Sequence, residues 1–183
     1  INPITNPMQV LLLRSGVSTV AATVATLTVF AFLSRREVLQ AADGIAPAAL
    51  AGLAGWHAGC LPTGACLGTE SSLPWAFALE GSDITRHPVE IYAALAFLIA
   101  ASALAAWKQF GRPPLAAPTG IALAAAGGIR LATEPLRISL DGGPVLFYAS
   151  GVLVGVGITA WAMWNGMNRE PTTENRRPKT DDR

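Results

Sequence analysis

Three ionisable residues, Arg130, Glu134 and Arg137, directly follow an uncharged run from Leu115 to Ile129. Their spacing of i, i+4 and i+7 would place two guanidinium groups and one carboxylate on a single helix face. Arginine forks bind phosphate well, and a carboxylate between them can fix their rotamers and offset part of their charge. The pattern indicates an anion site at a helix end. The plainer alternative is that the arginines only anchor a helix at the lipid headgroups.

Both histidines of the chain, His57 and His87, lie beside residues with special backbone properties. Glycines recur at positions 55, 59, 64 and 68 around the first histidine, and Arg86 and Pro88 flank the second. Histidine is the side chain that most readily exchanges a proton near neutral pH. Such glycines indicate close helix packing or a backbone that leaves the helix at a cavity, and a proline is also ordinary at a helix start.

The rest of the chain must place these groups, and it is strongly apolar. Of its 183 residues, 51% are hydrophobic and 14% are charged, whereas a soluble domain carries roughly a quarter charged residues. Long runs without Asp, Glu, Lys or Arg predict membrane-spanning helices when they approach about 18 residues. We therefore predict an all-α polytopic membrane protein with five spans, near 15–34, 44–64, 90–107, 114–131 and 144–165.

Lysine and arginine are distributed unevenly about these spans. They concentrate on one side, at 35–36, 108–112 and 169–183, whereas the opposite loops 65–89 and 132–143 are richer in acidic residues. The positive-inside rule then predicts an outer N-terminus and a cytoplasmic C-terminus. Polar residues of three spans would converge at the outer face.

The same composition predicts the domain organisation. We expect residues 1–168 to form one transmembrane domain. The segment 169–183 is charged, contains two prolines and lacks an apolar face, so we expect a disordered cytoplasmic tail.

Charge and cysteine usage argue against other classes of protein. The net charge of +1 does not indicate a nucleic-acid-binding surface. Cys60 and Cys66 lack the spacing of a metal or redox motif, and they are either small packing residues or a disulfide pair on an oxidising face. We expect no metal and no cofactor. No basic segment with a cleavage site follows Ile1, so we expect no signal peptide and an incomplete N-terminus.

The order of the motifs resembles the prolipoprotein diacylglyceryl transferase family. The family pattern has Gly-Arg-x-Gly-Asn/Cys and Gly-x-x-x-Gly, then Leu-Pro-Trp-Gly, Arg-His-Pro-x-Gln-x-Tyr-Glu and finally Arg-Phe-x-x-Glu-Phe-x-Arg. Matching residues stand here in the same order: Gly59, Cys60, Gly64, Gly68, Leu73, Pro74, Trp75, Arg86, His87, Pro88, Tyr92, Arg130, Glu134 and Arg137.

The chain departs from that pattern in several places. Trp56 and His57 stand for Gly-Arg, Glu90 and Ala93 stand for the Gln and Glu around the tyrosine, and Pro135 stands for a phenylalanine. Near the start, the segment 14–17 has no histidine where the family has a His-Gly-Gly type segment. Because proline disfavours helical geometry at the residue before it, Pro135 also predicts an interruption of the three-residue face described above.

The resemblance implies the C-terminal five spans of a seven-span fold in a bacterial inner membrane. It also implies a phosphatidylglycerol–prolipoprotein diacylglyceryl transferase, which moves diacylglyceryl from phosphatidylglycerol to the lipobox cysteine thiol of a preprolipoprotein and releases glycerol phosphate. Such a reaction needs a cationic clamp for the phosphate and a base for the thiol. The catalytic candidates are His57, His87 and Glu134, and the candidates for binding the lipid and its phosphate are Arg86, Arg130, Arg137 and Tyr92.

Two alternatives from other classes remain open. A catalytically degenerate relative would bind phospholipid, or serve as a subunit of a membrane assembly, without performing transfer. An unrelated transporter is disfavoured by the lack of an evident internal repeat.

Overall fold

The computed structural model describes residues 28–29, 32, 37–59, 67–78, 81–138 and 144–168. The chain divides into two units, Ile1–Ala41 and Ala42–Arg183. In the first unit the described residues are helical at Thr28, Val29 and Phe32, and they include the beginning of the first long helix. Several predictions lie outside the described residues: most of the span 15–34, the segment 14–17, motif positions 60–66 and the tail 169–183.

Long helices and one short hairpin make up the described part of the chain. Helix α1 covers Val38–Ala58, α2 covers Val89–Gly111, α3 covers Ala117–Thr133 and α4 covers Val145–Met167. Between α1 and α2, strands β1 (Phe77–Ala78) and β2 (Thr85–Arg86) pair antiparallel, with Phe77 opposite Arg86. A 3-10 turn, Glu134–Leu136, follows α3.

Four predicted spans correspond to these helices, with shifted ends. The span predicted near 44–64 is a helix that begins at Val38 and already ends at Ala58, next to Gly59, which is a poor helix former. Within the described residues, α1, α2 and α4 are long and apolar enough to cross a membrane. Helix α3 has 17 residues and is shorter than these three, at the lower end of the range of about 17–25 residues for a transmembrane helix. The described structure is therefore that of an integral membrane protein with three candidate spans.

Helices α1 and α2 pack through residues that recur every three or four positions, which places them on one face of each helix. Ala46, Leu50 and Ala54 form this face on α1. On α2 the fully buried Phe97 fills the space that the small side chains leave. Alanine and isoleucine side chains of α3 cover the same cluster from one side.

Helices α3 and α4 run antiparallel along a seam of glycines. A Cβ atom on Gly120 would lie 2.7 Å from the carbonyl oxygen of Gly155, and one on Gly127 would lie 2.6 Å from that of Tyr148. Both distances are too short for a side chain, so the two backbones touch. In lipid, where packing rather than burial from water drives helix association, such small residues permit a close approach.

Asp43 caps the N-terminus of α3 from a different helix. The N-cap residue of α3, Ala116, has no side-chain hydrogen-bond acceptor. Asp43 of α1 supplies the acceptor instead. Its Oδ2 accepts the N–H of Ala116 at 2.7 Å, and its Oδ1 accepts the N–H of Thr119 at 3.0 Å and the hydroxyl at 2.5 Å. The Nζ of Lys108, near the end of α2, donates to the backbone carbonyl of Asp43. A carboxylate at a helix N-terminus satisfies unpaired N–H groups and is favoured by the helix dipole.

This cap fixes which helix ends meet. The start of α1, the end of α2 and the start of α3 lie together around Asp43. Because the helices are of similar length, the end of α1, the start of α2 and the end of α3 meet at the opposite end. That opposite end carries the polar residues that the sequence singles out.

Candidate functional site

Glu90, in the first turn of α2, lies between two basic side chains. Its Oε2 contacts Nδ1 of His57, in the last turn of α1, and its Oε1 accepts from Nη2 of Arg137, after the 3-10 turn. The three side chains are 16%, 6% and 24% exposed, respectively. The carboxylate thus faces the Nδ1 edge of the imidazole, and an ionised carboxylate can only accept hydrogen bonds.

The imidazole of His57 also rests against the apolar core. Its ring stacks on Phe97, with 5.2 Å between the ring centroids and an interplanar angle of 12°. One edge of the ring thus faces the carboxylate, and one face is held by the aromatic side chain. Both contacts help to orient the ring of His57.

The helix face predicted to carry Arg130, Glu134 and Arg137 is interrupted, as the proline after Glu134 predicts. Helix α3 ends at Thr133, Glu134 begins the 3-10 turn, and Arg137 is extended with φ −88° and ψ 150°. Pro135 has no N–H to continue the α-helical bonds. The expectation of one continuous face is therefore wrong, because the last arginine leaves the helix and turns toward α2.

Arg137 and Glu134 lie close together without forming a hydrogen bond. The Nε of Arg137 is 4.0 Å from Oε2 of Glu134. Among the described residues, both atoms are buried and have no hydrogen-bond partner. Glu134 is 8% exposed. A buried polar atom without a partner costs roughly 1–3 kcal/mol, so a ligand that offers a donor to one atom and an acceptor to the other would be favoured here.

Arg130 is held by α4 rather than by Glu134. Its Nη2 donates to the hydroxyl of Tyr148 at 2.8 Å, and its guanidinium lies 5.1 Å from the centroid of that ring. The phenol combines a hydrogen bond with a cation–π contact. The two arginines of the predicted clamp are thus oriented by different helices, Arg130 by α4 and Arg137 by α2.

The segment 67–88 between α1 and α2, here called the hairpin segment because it contains β1 and β2, contacts the site through its backbone. The N–H of Gly68 donates to the carbonyl of His87 at 2.7 Å, and the N–H of Thr69 donates to that of Leu136 at 2.9 Å. The Nη1 of Arg86 donates to the carbonyl of Gly68 at 3.3 Å. These bonds place Arg86 and His87 beside the residues that follow α3.

The second histidine contacts a tyrosine instead of a carboxylate. Nδ1 of His87 lies 3.4 Å from the hydroxyl of Tyr92, and that hydroxyl accepts from Nε1 of Trp75 at 2.8 Å. His57 and His87 therefore have different partners. Trp75 is more than half exposed, as the interfacial aromatic side chains of membrane proteins are.

The structure brings the predicted candidates to one end of the described helices and adds residues that were not predicted. Glu90 is the main addition. Its only sequence signal is its departure from the family's glutamine next to the His-Pro step. Tyr148 has no sequence signal, since it is one phenol in an apolar run, and its part depends on its contact with Arg130.

Comparison with known proteins gives consistent matches. The model of the prolipoprotein diacylglyceryl transferase family matches residues 3–164. The phosphatidylglycerol–prolipoprotein diacylglyceryl transferase of Cupriavidus pinatubonensis is 30% identical over 164 residues, which are 83% of this chain and 58% of the relative. That of Cupriavidus necator is 29% identical over 152 residues, or 76% and 55% of the two chains. That of Pseudoalteromonas translucida is 27% identical over 139 residues, or 73% and 52%. The chain spans little more than half the length of these curated relatives.

Replacing Gly68 by alanine should disturb the attachment of the hairpin. A Cβ atom there would overlap the carbonyl oxygen of Leu136 and a methyl group of Val89, and overpacking of this kind costs roughly 1–3 kcal/mol. Thermal unfolding of the purified protein in detergent should shift down by about 2–12 °C. Gly128→Ala is the matched control, because a Cβ atom at Gly128 meets nothing within 4 Å and alanine favours helix. Equal midpoints for the two variants would contradict this account of the attachment.

Proposed function

Because the chain belongs to the prolipoprotein diacylglyceryl transferase family, we propose that it transfers diacylglyceryl from phosphatidylglycerol to the lipobox cysteine thiol of a preprolipoprotein. The relatives' names specify phosphatidylglycerol as the donor and a prolipoprotein as the acceptor. The observation that carries the proposal is the cluster of His57, Glu90 and Arg137, in which one carboxylate contacts both the candidate base and a candidate phosphate-binding cation.

The reaction sets clear demands on the site. The thiol sulfur attacks the glycerol carbon that bears the phosphate, a C–S bond forms, and the C–O bond to the phosphate breaks. The thiol proton passes to a base, and the electron pair of the broken bond leaves with glycerol phosphate. A base near the sulfur and cations near the leaving oxygen lower the barrier to such a step.

The cationic side of the site is assigned to three arginines and a tyrosine. Arg130 and Arg137 form the phosphate clamp, each held in place by a neighbouring helix. Arg86 and Tyr92 contact the lipid headgroup from the hairpin and the start of α2. The polar atoms of Arg86 and Tyr92 lie at the end of the helix bundle that also carries Glu90.

The proton-transfer side is assigned to the two histidines and Glu134. His57 is the first candidate for the base, because Glu90 and Phe97 fix its ring. His87 is the second. Glu134 offers a buried carboxylate oxygen close to Arg137, where it can accept a hydrogen bond from a headgroup hydroxyl.

We further infer that the site faces the outside of a bacterial inner membrane. Residues 1–168 then form the C-terminal five spans of a seven-span fold, and 169–183 form a cytoplasmic tail. The distribution of lysine and arginine supports this orientation. Lys108 and the hairpin also belong to opposite ends of α2.

A binding-only relative is the second candidate function. His57 stands where the family has an arginine and is only 6% exposed, which favours a site that holds lipid without activating a thiol. Such a protein would bind the lipid headgroup and would not transfer the diacylglyceryl group. The experiments below separate the two functions.

The orientation can be tested by cysteine labelling in intact cells, after Cys60 and Cys66 are replaced. Ser72→Cys, in the exposed hairpin segment, should react with a membrane-impermeant thiol reagent. Gln109→Cys, exposed near the end of α2, should stay unlabelled until the cells are opened. The reverse pattern would overturn the proposed orientation.

The transfer reaction can be tested with the purified full-length protein in vesicles of phosphatidylglycerol with radiolabelled acyl chains. Label should pass to a lipobox peptide and not to a matched peptide with serine in place of the cysteine. His57→Ala should lower the rate by roughly a hundredfold or more, which is the usual contribution of a general base, and should preserve part of the lipid binding. Lipid binding without transfer by the parent protein would contradict the transferase proposal and support the binding-only function.

The phosphate clamp can be tested by equilibrium binding to phosphatidylglycerol. Arg130→Lys keeps the charge but loses the planar fork, and Arg137→Ala loses both. Each should weaken binding by about tenfold or more, since a hydrogen bond to a charged group contributes roughly 1.5–3 kcal/mol. Arg112→Lys, exposed at the other end of α2, is the control and should bind like the parent. Unchanged binding by both clamp variants would show that these arginines only anchor the helix.

A further inference from the structure

Glu90 has no step of its own in the proposed reaction, although it contacts both principal groups. One carboxylate oxygen faces Nδ1 of His57, and the other accepts from Nη2 of Arg137. These partners come from opposite directions along the chain, 33 residues before and 47 residues after Glu90. The candidate base and a candidate phosphate cation are thus joined through one side chain.

Glu90 is largely shielded from solvent, so its charge needs partners. The carboxylate is 16% exposed, and a poorly hydrated charge is stable only when it is paired and hydrogen-bonded. Removing its charge would leave Arg137 facing Glu134, whose Oε2 lies 4.0 Å from Nε of the arginine. Arg137 would then be free to turn toward Glu134, and His57 would lose its carboxylate partner while its ring stays stacked on Phe97.

We propose that Glu90 is the positioning residue of this site, holding His57 and Arg137 in a fixed relative orientation; this rests on the proposed transferase function. By accepting from Nδ1, Glu90 sets the tautomer of His57 and makes Nε2 the proton-accepting nitrogen of the neutral ring. By accepting from Nη2, it holds the guanidinium of Arg137 from one side and leaves the rest of the fork to the phosphate.

The residue types at positions 57 and 90 support treating the two as a unit. Both positions depart from the family pattern, with histidine for arginine and glutamate for glutamine. The structure shows that the two departures contact each other.

Glu90→Gln is the main test, because the glutamine oxygen can accept from Arg137 while its NH2 group can meet Nδ1 of His57 only as a donor, which would place the ring proton on Nε2. In vesicles of phosphatidylglycerol with a lipobox peptide, kcat per folded molecule should fall by about tenfold or more, since orientation of the base is part of its roughly hundredfold or larger contribution. Glu90→Asp, which keeps the charge, should recover part of that loss. Asp83→Asn, the same chemical change at an exposed position of the hairpin segment, should leave kcat unchanged. A residue with a merely structural role would lower the folded fraction and leave kcat per folded molecule at the parental value, and that result would overturn the proposal.

A second measurement tests the same residue without relying on catalysis. Binding of phosphatidylglycerol is compared for the parent, Glu90→Gln, Arg137→Ala and the double variant. If Glu90 acts on the lipid through Arg137, its substitution should weaken binding in the parent and have little effect once Arg137 is absent, a coupling of roughly 2- to 100-fold. Additive effects would overturn the positioning role. A parent protein without transfer would overturn the proposed function alone, and the binding cycle would then decide the role of Glu90.

Discussion

Two carboxylates with little access to solvent, Asp43 and Glu90, tie the described helices together, because a poorly hydrated carboxylate is stabilised by the donors around it. At one end, Asp43 of α1 forms hydrogen bonds with the start of α3 and with Lys108 near the end of α2. At the other end, Glu90 of α2 contacts His57 at the end of α1 and Arg137 after α3. An apolar surface alone allows helices to slide and rotate, because lipid is as apolar as the helices themselves. Paired charges at both ends fix the register of α1, α2 and α3.

The break after α3 decides what Arg137 can reach. With a continuous helix, Arg130, Glu134 and Arg137 would form one face, and neither arginine would need a partner from another helix. Pro135 ends the α-helical bonding and turns the chain extended at Arg137, so this arginine meets Glu90 of α2. The seam of glycines between α3 and α4 brings Tyr148 close enough to hold Arg130. Two guanidinium groups seven residues apart are thus oriented by separate elements.

The sequence predicts much of this arrangement, because its main signals are local. Uncharged runs predict α1 to α4 to within a few residues at most ends, and the loop order places the polar residues at one end. Pro135 predicts the interruption of the helix by its own covalent geometry. The partners could not be predicted in this way. Asp43 capping Ala116, Glu90 bridging His57 and Arg137, and Tyr148 on Arg130 all depend on side chains that meet across different helices.

The charges of the site also fit the course of the proposed reaction. Before transfer, Arg130 and Arg137 are offset by Glu90 and Glu134, and Arg86 adds one positive charge, which matches the single negative charge of a phosphodiester headgroup. When the C–O bond breaks, the leaving glycerol phosphate gains a second negative charge. If His57 takes the thiol proton in the same step, the site gains one positive charge at the moment it is needed, and Glu90 lies beside the ring that carries it. A neutral base without a carboxylate neighbour would have to hold that charge in an apolar surrounding, which is costly. In the proposed reaction, the bridge between His57 and Arg137 would therefore link proton transfer to stabilisation of the leaving group.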